Sequence, residues 1–194
     1  MRDVSDSAAL PDIQTPKRTG MGIQIGAKPD SGFDDPIGML KDCHRRIEQF
    51  LRMLCLVAER AAGRGLNEEE ASAVKASLHY FCTGGPRHTA DEEQSLFPRM
   101  RAESGADDLV RLEDDHQTAD TLHAKVEALY SMWLSDGALK PADQQALLHA
   151  TGKLAELYAA HIDVEESVVF PHAAKTLSPA ALAAMGEEFR ARRS

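Results

Sequence analysis

The sequence predicts an all-α protein: an up-down-up-down four-helix bundle with a short C-terminal fifth helix at residues 34–194, preceded by a disordered N-terminal arm at 1–33. Three observations carry that expectation. Four long segments space their apolar residues three and four apart, and no segment alternates as a strand would. Short links join those segments, which makes consecutive helices antiparallel neighbours. The chain also repeats itself. His88-Thr-Ala-Asp-Glu92-Glu93-Gln-Ser-Leu-Phe97-Pro98 returns as His161-Ile-Asp-Val-Glu165-Glu166-Ser-Val-Val-Phe170-Pro171, so both copies read HxxxEExxxFP. Asp42-Cys43-His44 precedes the first copy at nearly the interval by which Asp114-Asp115-His116 precedes the second.

In the arm, Pro11, Pro16, Pro29, Gly20, Gly22, Gly26 and Gly32 interrupt any sustained period. The first helix opens at Asp35-Pro36, a cap followed by a proline suited to the first turn. Its stripe is Ile37, Leu40, His44, Ile47, Leu51, Leu54 and Ala58, and Gly63 and Gly65 end it. Asn67 and Glu68 to Glu70 open the second helix, with acids against the helix dipole. Its inward positions are Val74, Leu78, Phe81, His88, Glu92 and Leu96, and Pro86 is expected to kink or break it.

The third helix, from about Asp107 to Trp133, carries Leu109, Leu112, His116, Ala119, His123, Val126, Tyr130 and Trp133 on one face. After Gly137 and Pro141 the fourth carries Leu147, Thr151, Leu154, Tyr158, His161, Glu165 and Val168. Ser178-Pro179 caps the short fifth helix, with Leu182, Met185 and Phe189 inward and Arg190, Arg192 and Arg193 near its end.

Composition narrows the class. A chain of 194 residues that is 43% hydrophobic is one domain with a core large enough to fold without staples. A net charge of −9 argues against nucleic acid or an anionic membrane as the main partner. Cys43, Cys55 and Cys82 form an odd set without a CxxC, which suits a reducing cytosol. No signal-peptide core and no apolar run of membrane-spanning length is present, so the expected location is cytoplasmic. The oligomeric state is left open.

Residues i and i+4 share a helix face, so each HxxxE projects an imidazole and a carboxylate together. His44 and His116 lie near the start of helices 1 and 3, and the two HxxxE pairs near the end of helices 2 and 4. At ~1.5 Å per residue all six fall roughly 12–20 Å from one end of an antiparallel bundle. Each also lies on its helix's apolar stripe, where a carboxylate without a partner is heavily penalised. The simplest compensation is a metal site for two ions, with His44, His88, Glu92, His116, His161 and Glu165 as ligands.

Imidazole with carboxylate and no thiolate in register suits iron, manganese or zinc. Two divalent ions against two carboxylates leave net positive charge and open positions, with room for an oxo, hydroxo or peroxo ligand.

Bland readings stand beside other candidates. Tyr158, one turn before His161, could donate to the site or serve only as a core aromatic. His123 is about 10 Å along the axis from His116, too far for the same ion. His172 is read as structural or surface, and His79 and His149 have no matched partner. Cys43 points away from the site and is at most a reactive thiol. Glu93 and Glu166 are expected in solvent or paired with Arg, although one could be an extra ligand. Phe97-Pro98 and Phe170-Pro171 are expected to close the bundle end.

Over about Pro36–Thr176 these motifs resemble the hemerythrin-like, HHE cation-binding family. The resemblance implies a non-haem di-iron centre inside the bundle, two Fe ions with an oxo or hydroxo bridge, handling O2, NO or peroxide. It assigns His44 to helix 1, His88 and Glu92 to helix 2, His116 to helix 3, and His161 and Glu165 to helix 4, with Glu92 and Glu165 bridging. Oxygen carriers of the family have a second helix 3 His where this chain has Asp120, and use an Asp five residues after the last His, where Glu166 stands here. The H…HxxxE…H…HxxxE set is closer to bacterial hemerythrin-like and iron-centre repair proteins, though the arm lacks the Cys of the repair proteins. The implied function is binding or turnover of a small oxidant in oxidative or nitrosative stress or sensing. The alternative is a non-catalytic metal-binding or interaction module, for storage, repair or oxygen carriage.

Overall fold

A computed structural model describes residues 31–104 and 107–194, and among them every long element is helical, without a strand. The helices are α1 (Pro36–Ala61), α2 (Glu68–Asp91), α3 (Phe97–Ser104), α4 (Asp107–Asp136), α5 (Pro141–Val164), α6 (Phe170–Thr176) and α7 (Pro179–Ala191). α1 packs on α2 and α5, and α4 packs on α5 and α2, which closes a four-helix bundle with α7 against α1 and α2.

The caps follow the sequence closely. The Asp35 side chain accepts from the Gly38 N–H at 2.9 Å, with Pro36 in the first turn. Asn67 and Glu70 form a reciprocal capping box on α2, and the Ser178 side chain caps α7. α1 ends through Ala62 and Gly63 in the left-handed region, at φ 47° and 77°. Gly63 is needed there, because its carbonyl accepts from Leu139 N–H at 2.9 Å and a Cβ would stand 3.1 Å from the Leu139 oxygen.

Pro86 does not break α2, which runs through it to Asp91. Cys82, whose carbonyl loses its amide partner, and Pro86 both lie on the exposed face, so water can take the freed acceptor. The irregularity comes later, at two π-helical turns, Glu92–Leu96 and Glu165–Val169, one in each copy of the repeat. Each closes with an i→i−5 bond, from Phe97 N–H to the Glu92 carbonyl and from Phe170 N–H to the Glu165 carbonyl. The prolines at 98 and 171 would crowd the carbonyls four residues back in a regular helix, and the widened turn moves those carbonyls aside.

Two apolar cores fill the bundle. Leu54, Val74, Val126, Tyr130, Trp133, Leu147 and Leu154 form one, and Leu40, Leu96, Phe97, Leu112, Phe170, Met185 and Phe189 the other. His44, His116 and His161 fall between them along their helices, so a polar layer separates two dry ones.

Of the arm expected at 1–33, residues 1–30 lie outside the described residues. Ser31 N–H donates to Asp42 at 2.8 Å, and Phe33 packs on the second core under the Arg190 guanidinium, 4.5 Å from its ring centroid. Among the described residues no helix is long and apolar enough to cross a membrane.

Candidate metal centre

The structure brings all six sequence-derived residues into one buried layer, in two overlapping groups. His44, His88, Glu92 and Glu165 offer ligand atoms within 4.8 Å of one another, and so do Glu92, His116, His161 and Glu165. Both carboxylates belong to both groups. Glu92 divides its oxygens: Oε1 lies 3.3 Å from His88 Nε2 and 3.8 Å from His44 Nε2, whereas Oε2 lies 3.3 Å from His116 Nε2. Glu165 Oε2 is 3.0 Å from His44 Nε2 and 3.3 Å from His161 Nε2.

Proximity here is not hydrogen bonding. The Nε2 atoms of His44, His116 and His161 and all four oxygens of Glu92 and Glu165 are buried without a hydrogen-bond partner. Both carboxylates are 0% exposed. An unsatisfied buried polar group costs about 1–3 kcal/mol, more when charged. Seven such atoms converging on one space is the pattern that a cation satisfies, and imidazole with carboxylate suits iron, manganese or zinc. The residues fit a metal.

Electrostatics agree. Burial opposes the charged form of His44, but Glu165 and Glu92 outweigh it and raise its pKa to about 10. His116 rises to about 9 against the same burial, through Glu92 and Glu93. For His88 burial, joined by the charges of His44 and His116, outweighs Glu92 and Glu165, and its pKa falls to about 4. Burial also works against ionised Glu92, yet His88, His116 and His44 hold its carboxyl well below the usual range. The layer is a place where positive charge is wanted, and protons take that role without metal.

Glu93 and Glu166 are partly exposed, as the sequence suggests, but each faces a histidine rather than an arginine. Glu166 Oε1 lies 2.8 Å from His44 Nδ1, and Glu93 Oε1 lies 2.8 Å from His116 Nδ1. A regular helix would rotate each of them about 100° past its neighbouring Glu. The π turns reduce that rotation, and the second carboxylate reaches across the bundle to the far nitrogen of a histidine on another helix. The signal was present as a doubled Glu in both copies of the repeat. Phe97 stacks on His116 at 6.1 Å between centroids, and Phe170 on His44 at 5.3 Å, so the phenylalanines hold the rings as well as closing the layer.

Other candidates belong to neither ligand group. Tyr158 OH is hydrogen-bonded to His123 Nε2 at 3.0 Å, and burial lowers His123 to about 4, which keeps it neutral. Asp120, His79 and His149 are exposed, and Asp120 belongs to neither ligand group. Cys43 is buried, and that burial pushes its thiol up, away from a reactive thiolate.

A four-helix bundle with paired histidines and carboxylates in one buried layer defines a cation-binding bundle protein. Residues 35–173 match the model of the Hemerythrin HHE cation binding domain, and the chain belongs to that family. It is also 28% identical over 167 residues to a Haemophilus influenzae protein named "Uncharacterized protein", which covers 83% of this chain and 91% of that one.

Proposed function

We propose that His44, His88, Glu92, His116, His161 and Glu165 hold two iron ions, with Glu92 and Glu165 shared between them, and that the protein binds or turns over a small oxidant. O2, NO and peroxide form that class, and oxidative or nitrosative stress response or sensing, in the cytoplasm, is the setting it suits. The observation that carries the reading is the division of Glu92, one oxygen toward His44 and His88 and the other toward His116. A carboxylate serving a single ion has no need of that arrangement.

Bound iron supplies the redox chemistry. The chain's own residues do the rest. Glu166 and Glu93 fix His44 and His116 by accepting from Nδ1, so that Nε2 points inward. Phe97 and Phe170 and the apolar cores exclude water from the layer. Two histidines and two shared carboxylates fill four positions of each coordination sphere and leave room for a small molecule.

Metal analysis of protein made in iron-replete medium tests the stoichiometry, with about two irons per chain expected. Absorption spectra of the reduced protein with NO and with peroxide then test the chemistry. Stoichiometry near one, or zinc alone despite iron loading, overturns the di-iron reading. Iron-loaded protein inert to O2, NO and peroxide leaves only a structural metal site. With Asp120 exposed in place of a further histidine, no stable oxygenated form is expected. Clean recovery of the reduced state over repeated cycles of air and oxygen removal would show a carrier instead.

A further inference from the structure

The inner ligands of the two groups match, but the acids behind them do not. Glu166 backs His44 and Glu93 backs His116, each at 2.8 Å, so these contributions balance. The difference lies with the second histidine of each group. Asp115 Oδ2 stands 3.5 Å from Nδ1 of His161, within ion-pair distance although no hydrogen bond is formed, and Asp115 is only 20% exposed. Nδ1 of His88 is buried with no hydrogen-bond partner and, among the described residues, no acid within ion-pair distance.

We infer that the two ion positions are unequal: the one between His116, His161, Glu92 and Glu165 fills first and holds its ion harder, and the one between His44, His88 and the same carboxylates fills second and exchanges. The inference rests on the two-ion reading above. An imidazole whose far nitrogen faces a carboxylate is a stronger base toward a metal and is held in the correct tautomer. At the first position both histidines have such an acid, although His161 must turn slightly to close its bond. At the second only His44 has one. Partners of this kind change metal affinity by about 10–100-fold, which sets the expected ratio between the positions.

Cobalt(II) tests the order of filling without reference to activity. The full chain, stripped with a chelator, is crystallised with one and then with three equivalents of Co2+, and anomalous difference maps are measured at the cobalt edge. One equivalent should give a dominant peak between His116 and His161, and excess should add a second between His44 and His88. Asp115→Asn should bring the two peaks at one equivalent toward equality while both still fill in excess. Calorimetric titration of the unsubstituted chain, expected to show two steps, gives the same answer if that variant does not fold. Equal peaks at one equivalent, filling of the His44 position first, or a single-step titration overturns the inequality. A single peak even in excess cobalt removes the two-ion reading itself.

Discussion

Asp91 and Arg193 tie the end of α7 to the metal layer. The Asp91 carboxylate is 0% exposed, accepts from Arg193 Nη2 at 2.5 Å and from Arg192 Nε at 2.7 Å, and immediately precedes Glu92. Arg192 also donates to Ser95 Oγ, inside the π turn. The turn that aims Glu92 and Glu93 is therefore braced by a helix outside the bundle.

Removing both arginines leaves a buried carboxylate without a partner, at a cost of about 3–5 kcal/mol. The double variant Arg192→Ala/Arg193→Ala should lower the free energy of unfolding by that amount in urea titrations, with either single change doing markedly less. Asp91→Asn in the same background should recover part of the loss, because a neutral amide is cheaper to bury. Unchanged stability in the double variant would show that the clamp does not matter.

Glu92→Ala and Glu165→Ala should each reduce bound metal to one ion or fewer per chain, since each removes a carboxylate common to both groups. His79→Ala and His149→Ala, on the exposed surface, should leave metal content at its full value. Elemental analysis of the four variants decides it, and equal losses across all four contradict the assignment.

Glu93→Ala and Glu166→Ala should weaken metal binding by about 10–100-fold without abolishing it, because they release His116 and His44 from their 2.8 Å contacts but keep every ligand. Gln at either position can still accept from Nδ1, and should recover part of the affinity. Competition with a chelator of known strength measures both. Affinity unchanged in the Ala variants would mean that the crossing contacts are incidental.

The metal-free protein should be most stable near pH 6.5. His44 and His116, at about 10 and 9 when folded against 6.5 ordinarily, take protons more readily in the folded state. Their contribution is fully present below pH 6.5 and is lost as pH rises through 9 to 10. His88 and His123, both lowered to about 4, contribute in the opposite sense: their share is present above 6.5 and is lost as pH falls toward 4. Depressed Glu92 adds to the loss below about 4.5. Urea midpoints across pH 4–10 should trace a dome, and a midpoint still rising between pH 7 and 9 contradicts it. Metal addition at pH 7.5 should release protons, since it displaces those on His44 and His116.

Helix spacing, caps and the doubled motif were legible in the sequence because they are local. Asp35, Asn67 and Ser178 cap where their residue types favour it, and an i, i+4 pair shares a helix face whatever the helix packs on. The repeat added the one non-local fact available, that two such pairs come to the same level. The break allowed for at Pro86 does not occur, because a proline ends a helix only when the lost bond cannot be replaced, and exposure decides that.

The crossing of Glu166 to His44 spans 122 residues, and that of Glu93 to His116 spans 23. Both depend on a π turn whose smaller rotation per residue no periodicity announces. The clamp of Arg192 and Arg193 on Asp91, the tie between Tyr158 and His123, and the acid behind His161 but not His88 likewise join separate helices. Sequence determined which side chains enter the layer, through the turn-by-turn geometry of each helix. Only tertiary structure decided what stands behind each one, because that depends on the rotation and register at which the helices meet.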